Sequence, residues 1–350
     1  MRPLRVMTVD DSVVVRLMVA EALRGEKDFE LAGFAQNGQV ALDKLTEIAP
    51  DLIVLDVEMP VMDGLTTLLE LRKRRSKIPV VMFSTLTSRG ASATIEALTR
   101  GASDYVQKPS AASREESLQL LRAELLPKLR ALGAKALAGP RAPVATPRAR
   151  RTALGPVDVV VIGVSTGGPN ALADMLPGLP ADLPVPVLIV QHMPPAFTGM
   201  LAKRLDSLCP LTVAEAQGGE VLAPGQVWVA PGGKHLVVKK VGAHVVTAIN
   251  EEPPENSCRP AADPLFRSVV AAYGARVLSV VMTGMGSDGH KGTQAVVAAG
   301  GQVIAQDAES CVVYGMPRFV VEAGLADAVL SLEHIAAEIT RRTGAGLVCR

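Results

Sequence analysis

The sequence predicts an α/β protein of two domains, each built on a mostly parallel sheet, and three observations carry that prediction. Over residues 1 to about 110, five short apolar runs alternate with amphipathic helical patterns, the rhythm of a (βα)5 sheet whose strands are joined by crossover helices. From Ala138 to Val157 the rhythm stops, and Pro140, Pro143, Pro147 and Pro156 share the stretch with Arg141, Arg148, Arg150 and Arg151. From Val157 the βα alternation resumes.

In the first domain the expected strands are Leu4 to Val9, Phe29 to Ala35, Asp51 to Asp56, Ile78 to Ser84 and Ala102 to Lys108. Leu118, Leu121, Leu125 and Leu129 fall at helical spacing, so a closing helix is expected between Ser113 and Ala136. The Pro/Arg-rich stretch has no apolar period and cannot bury enough surface to fold alone, which makes it a linker. The domains are therefore residues 1–125, a helix end and linker over 126–156, and residues 157–345. In the second domain Val157 to Val161, Pro186 to Gln191 and Arg276 to Thr283 read as core strands. Val227-Trp228-Val229 and Leu236-Val237-Val238 around Pro231-Gly232-Gly233 read as a hairpin. The second domain is thus expected to be doubly wound and mostly parallel, with an antiparallel hairpin at its edge.

Length and composition bound the function. A chain of 350 residues suits two domains. Lys and Arg total 36 against 35 Asp and Glu, a formal net charge of +1, so the basic surplus that drives phosphate-backbone binding is missing and no nucleic-acid partner is expected. Cys209, Cys258, Cys311 and Cys349 show no C-x-x-C spacing, which argues against a zinc site or a disulfide framework and suits a reducing compartment. No apolar run reaches the ~18 residues that span a bilayer, and Met1 to Asp11 runs into an acidic pair instead of a signal-peptide core. A soluble, cytoplasmic chain without membrane insertion is expected.

Two sets of residues carry chemistry. Asp10 and Asp11 follow the first strand and Asp56 ends the third, so in a doubly wound sheet the three carboxylates meet at one carboxyl-end crevice. Such a cluster repels itself unless a hard cation joins it, and Mg2+ takes oxygen ligands of this kind. Ser84 and Lys108, at the ends of the fourth and fifth strands, bring a hydroxyl and a cation to the same crevice, where a phosphoryl group on Asp56 needs them.

The second set begins at Gly163-Val164-Ser165-Thr166-Gly167-Gly168-Pro169, directly after an apolar strand. A glycine-framed serine at a strand-to-helix turn matches the nucleophile elbow, in which small neighbours let a sharp turn push the hydroxyl out of the sheet. A neutral serine needs a base, and the base an orienting acid. His192 alone among five histidines sits at the end of an expected core strand, and Asp288 lies in the glycine-rich loop Thr283 to Gly289 after another. His290 is a rival base at a loop tip, while His235, His244 and His334 fall in hairpin or helical contexts. A phosphate-cradling glycine turn is the rival reading of 163–169, but Ser165 stands where that fingerprint wants its second glycine.

With these residues in view, the first domain resembles a flavodoxin-like response-regulator receiver domain, through Asp10-Asp11, Asp56, Met59-Pro60, Asp63-Gly64, Ser84, Tyr105 and Lys108-Pro109. The resemblance implies that Asp56 accepts phosphate from a histidine-kinase partner. It also implies that Mg2+ sits on Asp10, Asp11, Asp56 and the backbone of Glu58, and that Ser84, Tyr105 and Lys108 form the switch.

The second domain resembles the catalytic domain of chemotaxis-type protein-glutamate methylesterases. The matching stretches are 163–169, Gln191-His192-Met193-Pro194, Ala230-Pro231-Gly232, 283–289 and Ser310 to Pro317. Carried over, Ser165 attacks a γ-glutamyl methyl ester of a methylated chemoreceptor, His192 is general base then acid, Asp288 holds the imidazole, and no cofactor is needed. Deamidation of receptor glutamines by the same serine is a second implied activity. Backbone N–H groups of Thr166 and Met285 are the oxyanion-hole candidates, and Arg259 and Asp263 the substrate-pocket candidates. Cys258 and Ala261 depart from the His and Ser more often found there. The receiver is expected to cover the Ser165 crevice until Asp56 is phosphorylated. A catalytically inactive, phosphorylation-gated receptor-binding protein is the alternative.

Overall fold

Strands made almost wholly of Val, Ile and Leu are stable only when both faces of their sheet are covered, and that condition organises both halves of the chain. The computed structural model describes residues 2–85, 87–109, 113–138 and 155–344. It divides into two units, Met1–Pro140 and Arg141–Arg350. Residues 139–154, which include most of the Pro/Arg-rich stretch, lie outside the described residues.

In the first unit the strands are β1 (Leu4–Val9), β2 (Phe29–Ala35), β3 (Leu52–Asp56), β4 (Val80–Ser84) and β5 (Asp104–Gln107). They form one parallel sheet in the order β2-β1-β3-β4-β5. The helices are α1 (Val13–Leu23), α2 (Gly38–Ile48), α3 (Gly64–Lys73), α4 (Ser88–Thr99) and α5 (Arg114–Ala138). Ser12, Asn37, Asp63 and Thr87 cap the first four, each side chain accepting from a backbone N–H of the first turn. Because the chain leaves β1 for one side of the sheet and β3 continues on the other, the order reverses between them, and a crevice opens at their carboxyl ends. Helix α5 buries Leu121, Leu125, Leu129 and Leu132 and so packs along its length, and a Cβ on Gly133 would lie 2.3 Å from Leu4 Cδ1.

The second unit holds β6 (Val159–Val164), β7 (Val187–Gln191), β8 (Thr212–Glu215), β9 (Gln226–Val229), β10 (His235–Val241), β11 (His244–Asn250), β12 (Val277–Val281), β13 (Gln302–Gln306) and β14 (Ala328–Leu330). Seven of them form a wholly parallel sheet in the order β14-β13-β12-β6-β7-β9-β8. Its covering helices are α6 (Gly168–Met175), α7 (Pro195–Leu208), α8 (Ala262–Tyr273), α9 (His290–Ala298), α10 (Met316–Glu322) and α11 (Leu332–Thr343). Strands β6, β7, β12 and β13 are buried at every position, and Leu265 and Phe266 of α8 pack on them. The reversal of strand order falls here between β6 and β12.

The hairpin differs from expectation in its partners. Val227-Trp228-Val229 joins the main sheet, in parallel register with Val187, Leu188 and Ile189. The antiparallel pair is β10 with β11, a separate two-stranded sheet whose last register pair, Val241 and His244, leaves Gly242 and Ala243 as a two-residue loop. Gly242 has φ +58°, the left-handed backbone such tight loops demand. Pro231-Gly232-Gly233 is a close-approach segment instead: a Cβ on Gly232 would fall 2.3 Å from the carbonyl carbon of Pro194, at the start of α7. Among the described residues no helix is long and apolar enough to cross a membrane.

Candidate active site

At the end of β6 the chain turns at once into α6. Ser165 is the first residue past the strand, and its N–H donates to the carbonyl of Thr283 at 2.9 Å. Gly167 has φ +77°, and a Cβ on Gly168 would lie 2.0 Å from Gln191 Oε1, so both glycines are sterically required. Val164 pairs with Gln191 in the β6–β7 register, which brings the next two residues, Ser165 and His192, out side by side on strands ~4.8 Å apart. Gln191 is buried, and its Nε2 donates to the carbonyls of Ser165 at 3.0 Å and His192 at 3.3 Å, tying the two turns together. Among the described residues the Ser165 hydroxyl makes no hydrogen bond.

Asp288 arrives from the loop after β12, the strand on the other side of β6. That loop can reach the serine because Gly284 lacks a side chain: a Cβ there would sit 2.7 Å from Ser165 Cβ and 2.4 Å from Met316 Sδ. His192 Nε2–H donates to Asp288 Oδ2 at 2.7 Å, and that bond leaves Nδ1 as the basic nitrogen. Asp288 is buried and accepts three further bonds: Oδ2 from the N–H of Ala262 at 2.6 Å, Oδ1 from the N–H of Asp263 at 3.1 Å and from Asn256 Nδ2 at 2.9 Å. Ala262 and Asp263 open helix α8, so the carboxylate caps a helix with no capping side chain of its own and sits on the positive end of its dipole. Burial pushes the Asp288 carboxyl upward, but the bonds from His192 and the helix outweigh it and hold it below the usual carboxylate range. For His192 burial works against the charged ring, and the Asp288 carboxylate and the Cys258 sulfur beside it overcome that and raise the imidazole above its ordinary value.

Of the amides proposed for an oxyanion hole, that of Thr166 follows the serine directly and that of Met285 follows Gly284, where a Cβ would lie 2.7 Å from Ser165 Cβ. Among the described residues neither the Thr166 nor the Met285 N–H is used in a hydrogen bond. Thr283 Oγ1 donates to the Thr166 carbonyl at 2.9 Å, and the Gly284 carbonyl accepts from the N–H groups of Gly315 and Met316. In a trans peptide the N–H points opposite to the C=O, so Met285 N–H faces away from that segment.

The two residues expected in the substrate pocket both make hydrogen bonds within the chain. Asp263 is wholly buried, with Oδ1 accepting from the N–H of Gly292 at 2.6 Å and Oδ2 from Asn256 Nδ2 at 2.9 Å. It is a framework carboxylate: Asp288, just before α9, caps α8, and Asp263, in the first turn of α8, reaches the first turn of α9. Its placement in a substrate pocket is corrected accordingly. Arg259 Nη1 donates to the carbonyls of Glu251 and Glu252, so its guanidinium braces the loop after β11.

In the first unit the structure brings the acidic residues together as the strand ends imply. Asp10 and Asp56 are buried, Asp11 is exposed, and one oxygen from each lies within 4.8 Å of the others. Lys108 Nζ is 2.8 Å from both Asp10 Oδ2 and Asp56 Oδ1. Burial, helped by Asp10, raises the Asp56 carboxyl to about 6 against the pull of Lys108 and the Val57 N–H. Three carboxylates against one ammonium leave a net negative set of hard oxygen donors, which fits Mg2+. Glu58 lines the same cleft with Asp11 and Met59. The Ser84 hydroxyl is turned to the carbonyls of Gly90 at 3.1 Å and Thr85 at 3.2 Å, and Tyr105 is buried with Lys128 Nζ 4.9 Å from its ring centre.

Comparison with known proteins matches this architecture. Residues 160–339 match the family described as CheB methylesterase, and residues 6–119 match the response regulator receiver domain. The chain belongs to the CheB methylesterase family. A protein-glutamate methylesterase/protein-glutamine glutaminase of Trichodesmium erythraeum is 46% identical over 348 residues, covering 97% of this chain and 99% of that one. One of the same description from Nocardioides sp. is 47% identical over 349 residues, 97% of this chain and 95% of its own. The crystal structure of the Thermotoga maritima CheB methylesterase catalytic domain is 45% identical, with a TM-score of 0.52, covering 53% of this chain and 98% of that one. Reading along the sequence of this CheB-family chain did not single out Gln191 or Asn256 as bonding partners. Gln191 opens one of the matching stretches and Asn256 stands two residues before Cys258, but an amide's hydrogen bonds leave no period or spacing.

Proposed function

We propose that this CheB-family chain is a serine hydrolase that demethylates γ-glutamyl methyl esters on a methylated chemoreceptor-type cytoplasmic domain. The observation that carries the reading is the 2.7 Å bond from His192 Nε2 to the buried Asp288 carboxylate, one strand end away from Ser165. His192 Nδ1 takes the proton of Ser165 Oγ as that oxygen attacks the ester carbonyl. The Thr166 and Met285 N–H groups receive the charge on the carbonyl oxygen, each such donor being worth about 10²–10³ in rate. The imidazolium then protonates the departing methoxide, methanol leaves, and water cleaves the acyl-serine by the same relay to free the glutamate. The nucleophile–base bond in such sites often tightens only with substrate.

Methanol release from a methylated receptor domain tests the reading. The Ser165→Ala variant is expected to lose it, and equal release from both proteins would overturn the proposal in favour of an inactive, phosphorylation-gated receptor-binding protein. Deamidation is supported as a second activity by the glutaminase half of the relatives' names. The acyl-serine would be the same, with ammonia leaving in place of methanol.

The first unit supports phosphorylation control. Asp56 accepts a phosphoryl group from a histidine-kinase partner, and Asp10, Asp11, Asp56 and the backbone of Glu58 would hold Mg2+, which supplies charge neutralisation for the transferring group. Lys108 stays to pair with the phosphoryl oxygens, and Ser84 has a hydroxyl that can swing from Gly90 toward them. A small acyl-phosphate donor with Mg2+ is expected to raise the esterase rate of the full-length protein. An Asp56→Asn chain that responded equally would refute the control.

A further inference from the structure

We infer that Asn256 is a positioning residue of the hydrolytic site, holding Asp288 in the orientation that serves His192. The inference rests on the reading of Ser165, His192 and Asp288 as a proton relay. Asp288 must present Oδ2 to the imidazole, and its rotation is restrained by what holds Oδ1. That oxygen accepts from one backbone N–H, that of Asp263 at 3.1 Å, and from Asn256 Nδ2 at the shorter distance of 2.9 Å. The same Nδ2 donates to Asp263 Oδ2 at 2.9 Å. An amide nitrogen carries two hydrogens, so one goes to each carboxylate and none is left over.

The need for such a group follows from the charges. Asp263 and Asp288 are both buried, and burial together with the charge of Asp288 raises the proton affinity of Asp263. A neutral double donor between them satisfies both without adding charge. The other titratable groups around the pair are Glu255, paired through both oxygens with Arg267 at 2.9 and 2.6 Å, Lys291, whose charge acts on Glu255, and, on the imidazole side, His192 with Cys258 beside it. Asn256 is carried by a tight turn in which Glu255 and Cys258 exchange backbone bonds at 3.1 and 2.9 Å. Its φ is +52°, left-handed, and asparagine tolerates that conformation better than most residues. The residue therefore has two possible reasons to be asparagine, the backbone and the amide.

Glycine separates them, because it adopts the left-handed backbone freely but has no amide. Asn256 is exposed, so the change leaves the core intact. In full-length protein assayed by methanol release, Asn256→Gly is expected to lower kcat about tenfold, the effect of weakening one charge-assisted hydrogen bond, with KM within about twofold. A loosened Asp288 supports the imidazolium less well, so the acid limb of kcat/KM should move to lower pH. Asn256→Asp keeps the shape but adds a third carboxylate. It should lower kcat further and move the acid limb the opposite way. An Asn256→Gly protein with wild-type kcat, KM and acid limb overturns the inference in favour of a backbone role, as does a fall in kcat with an unmoved acid limb. Both outcomes leave the relay itself standing, whereas equal activity of wild type and Ser165→Ala would remove the relay.

Discussion

Replacing Asp288 by Asn tests the arrangement most directly, because all four hydrogen bonds to its carboxylate come from donors. His192 Nε2, Ala262 N–H, Asn256 Nδ2 and Asp263 N–H approach at 2.7, 2.6, 2.9 and 3.1 Å. A carboxamide has one acceptor oxygen, so whichever way it turns its NH2 faces a pair of donors that includes a backbone amide of α8. Leaving such a group unpaired and buried costs about 1–3 kcal/mol, and losing the negative charge at the helix N-terminus adds about 0.3–1 kcal/mol. For a domain of this size each kcal/mol lowers Tm by about 2–4 °C, so calorimetry should show a fall of several degrees. The catalytic loss should be larger, because the imidazole is no longer held as the Nε2–H tautomer. About 10³–10⁴ in kcat is expected, or about 4–5.5 kcal/mol of barrier. Methanol release measures it. If Asp288→Asn kept kcat within about tenfold of wild type while the fold was intact, the carboxylate would not orient the base and the relay would be wrong.

Three further outcomes follow from the geometry. In the proposed relay attack requires neutral His192, and although burial opposes the charged ring, Asp288 and Cys258 raise its proton affinity. The acid limb of kcat/KM should therefore lie above the ordinary histidine value of about 6.5, and a midpoint at or below that value would contradict the pairing. The same raised value means that protonation of His192 contributes stability fully below the ring's unfolded-state pKa while Asp288 is ionised, and that contribution is lost as pH rises through the folded-state one. Gly284→Ala forces a Cβ to within 2.7 Å of Ser165 Cβ. Overpacking of this kind costs about 1–3 kcal/mol, and displacement of the nucleophile should reduce kcat beyond what the Tm change accounts for; unchanged kcat would show the contact to be slack. Gln191→Leu leaves the Ser165 and His192 carbonyls without their shared donor. About tenfold lower kcat with little change in KM is expected, and a changed KM alone would place Gln191 in binding instead.

Much of the architecture was readable because it rests on local signals. Apolar runs bounded by Gly, Pro and Asp located β1 to β5, β6, β7 and β12 to within a few residues, and most plainly β3, β4, β6, β7 and β12, which are buried at every position and so read as near-continuous apolar runs. The hairpin was misassigned for the opposite reason. Pro-Gly-Gly between two apolar runs is a turn signal, yet its glycines serve a close approach to Pro194, while the true hairpin turn, Gly242-Ala243, joins strands carrying Lys239 and Lys240 that read weakly. Asp263 shows the same limit at the site. A carboxylate that the resemblance assigns to the substrate pocket looks available, and its burial between two helix N-termini is visible only in three dimensions.

By itself, then, the sequence determined the two α/β halves, the placing of Ser165, His192, Asp288 and the Asp10–Asp11–Asp56 set at strand ends, and the glycines beside them. The tertiary structure decided which nitrogen of His192 meets Asp288, that Asp288 and Asp263 cap each other's helices, and that Asn256 and Gln191 hold these parts in register. The division has a physical cause. Strand ends and glycine turns follow from interactions between neighbours along the chain, whereas the orientation of a buried carboxylate is set by donors far apart in the chain that only the packed helices bring within 3 Å or so.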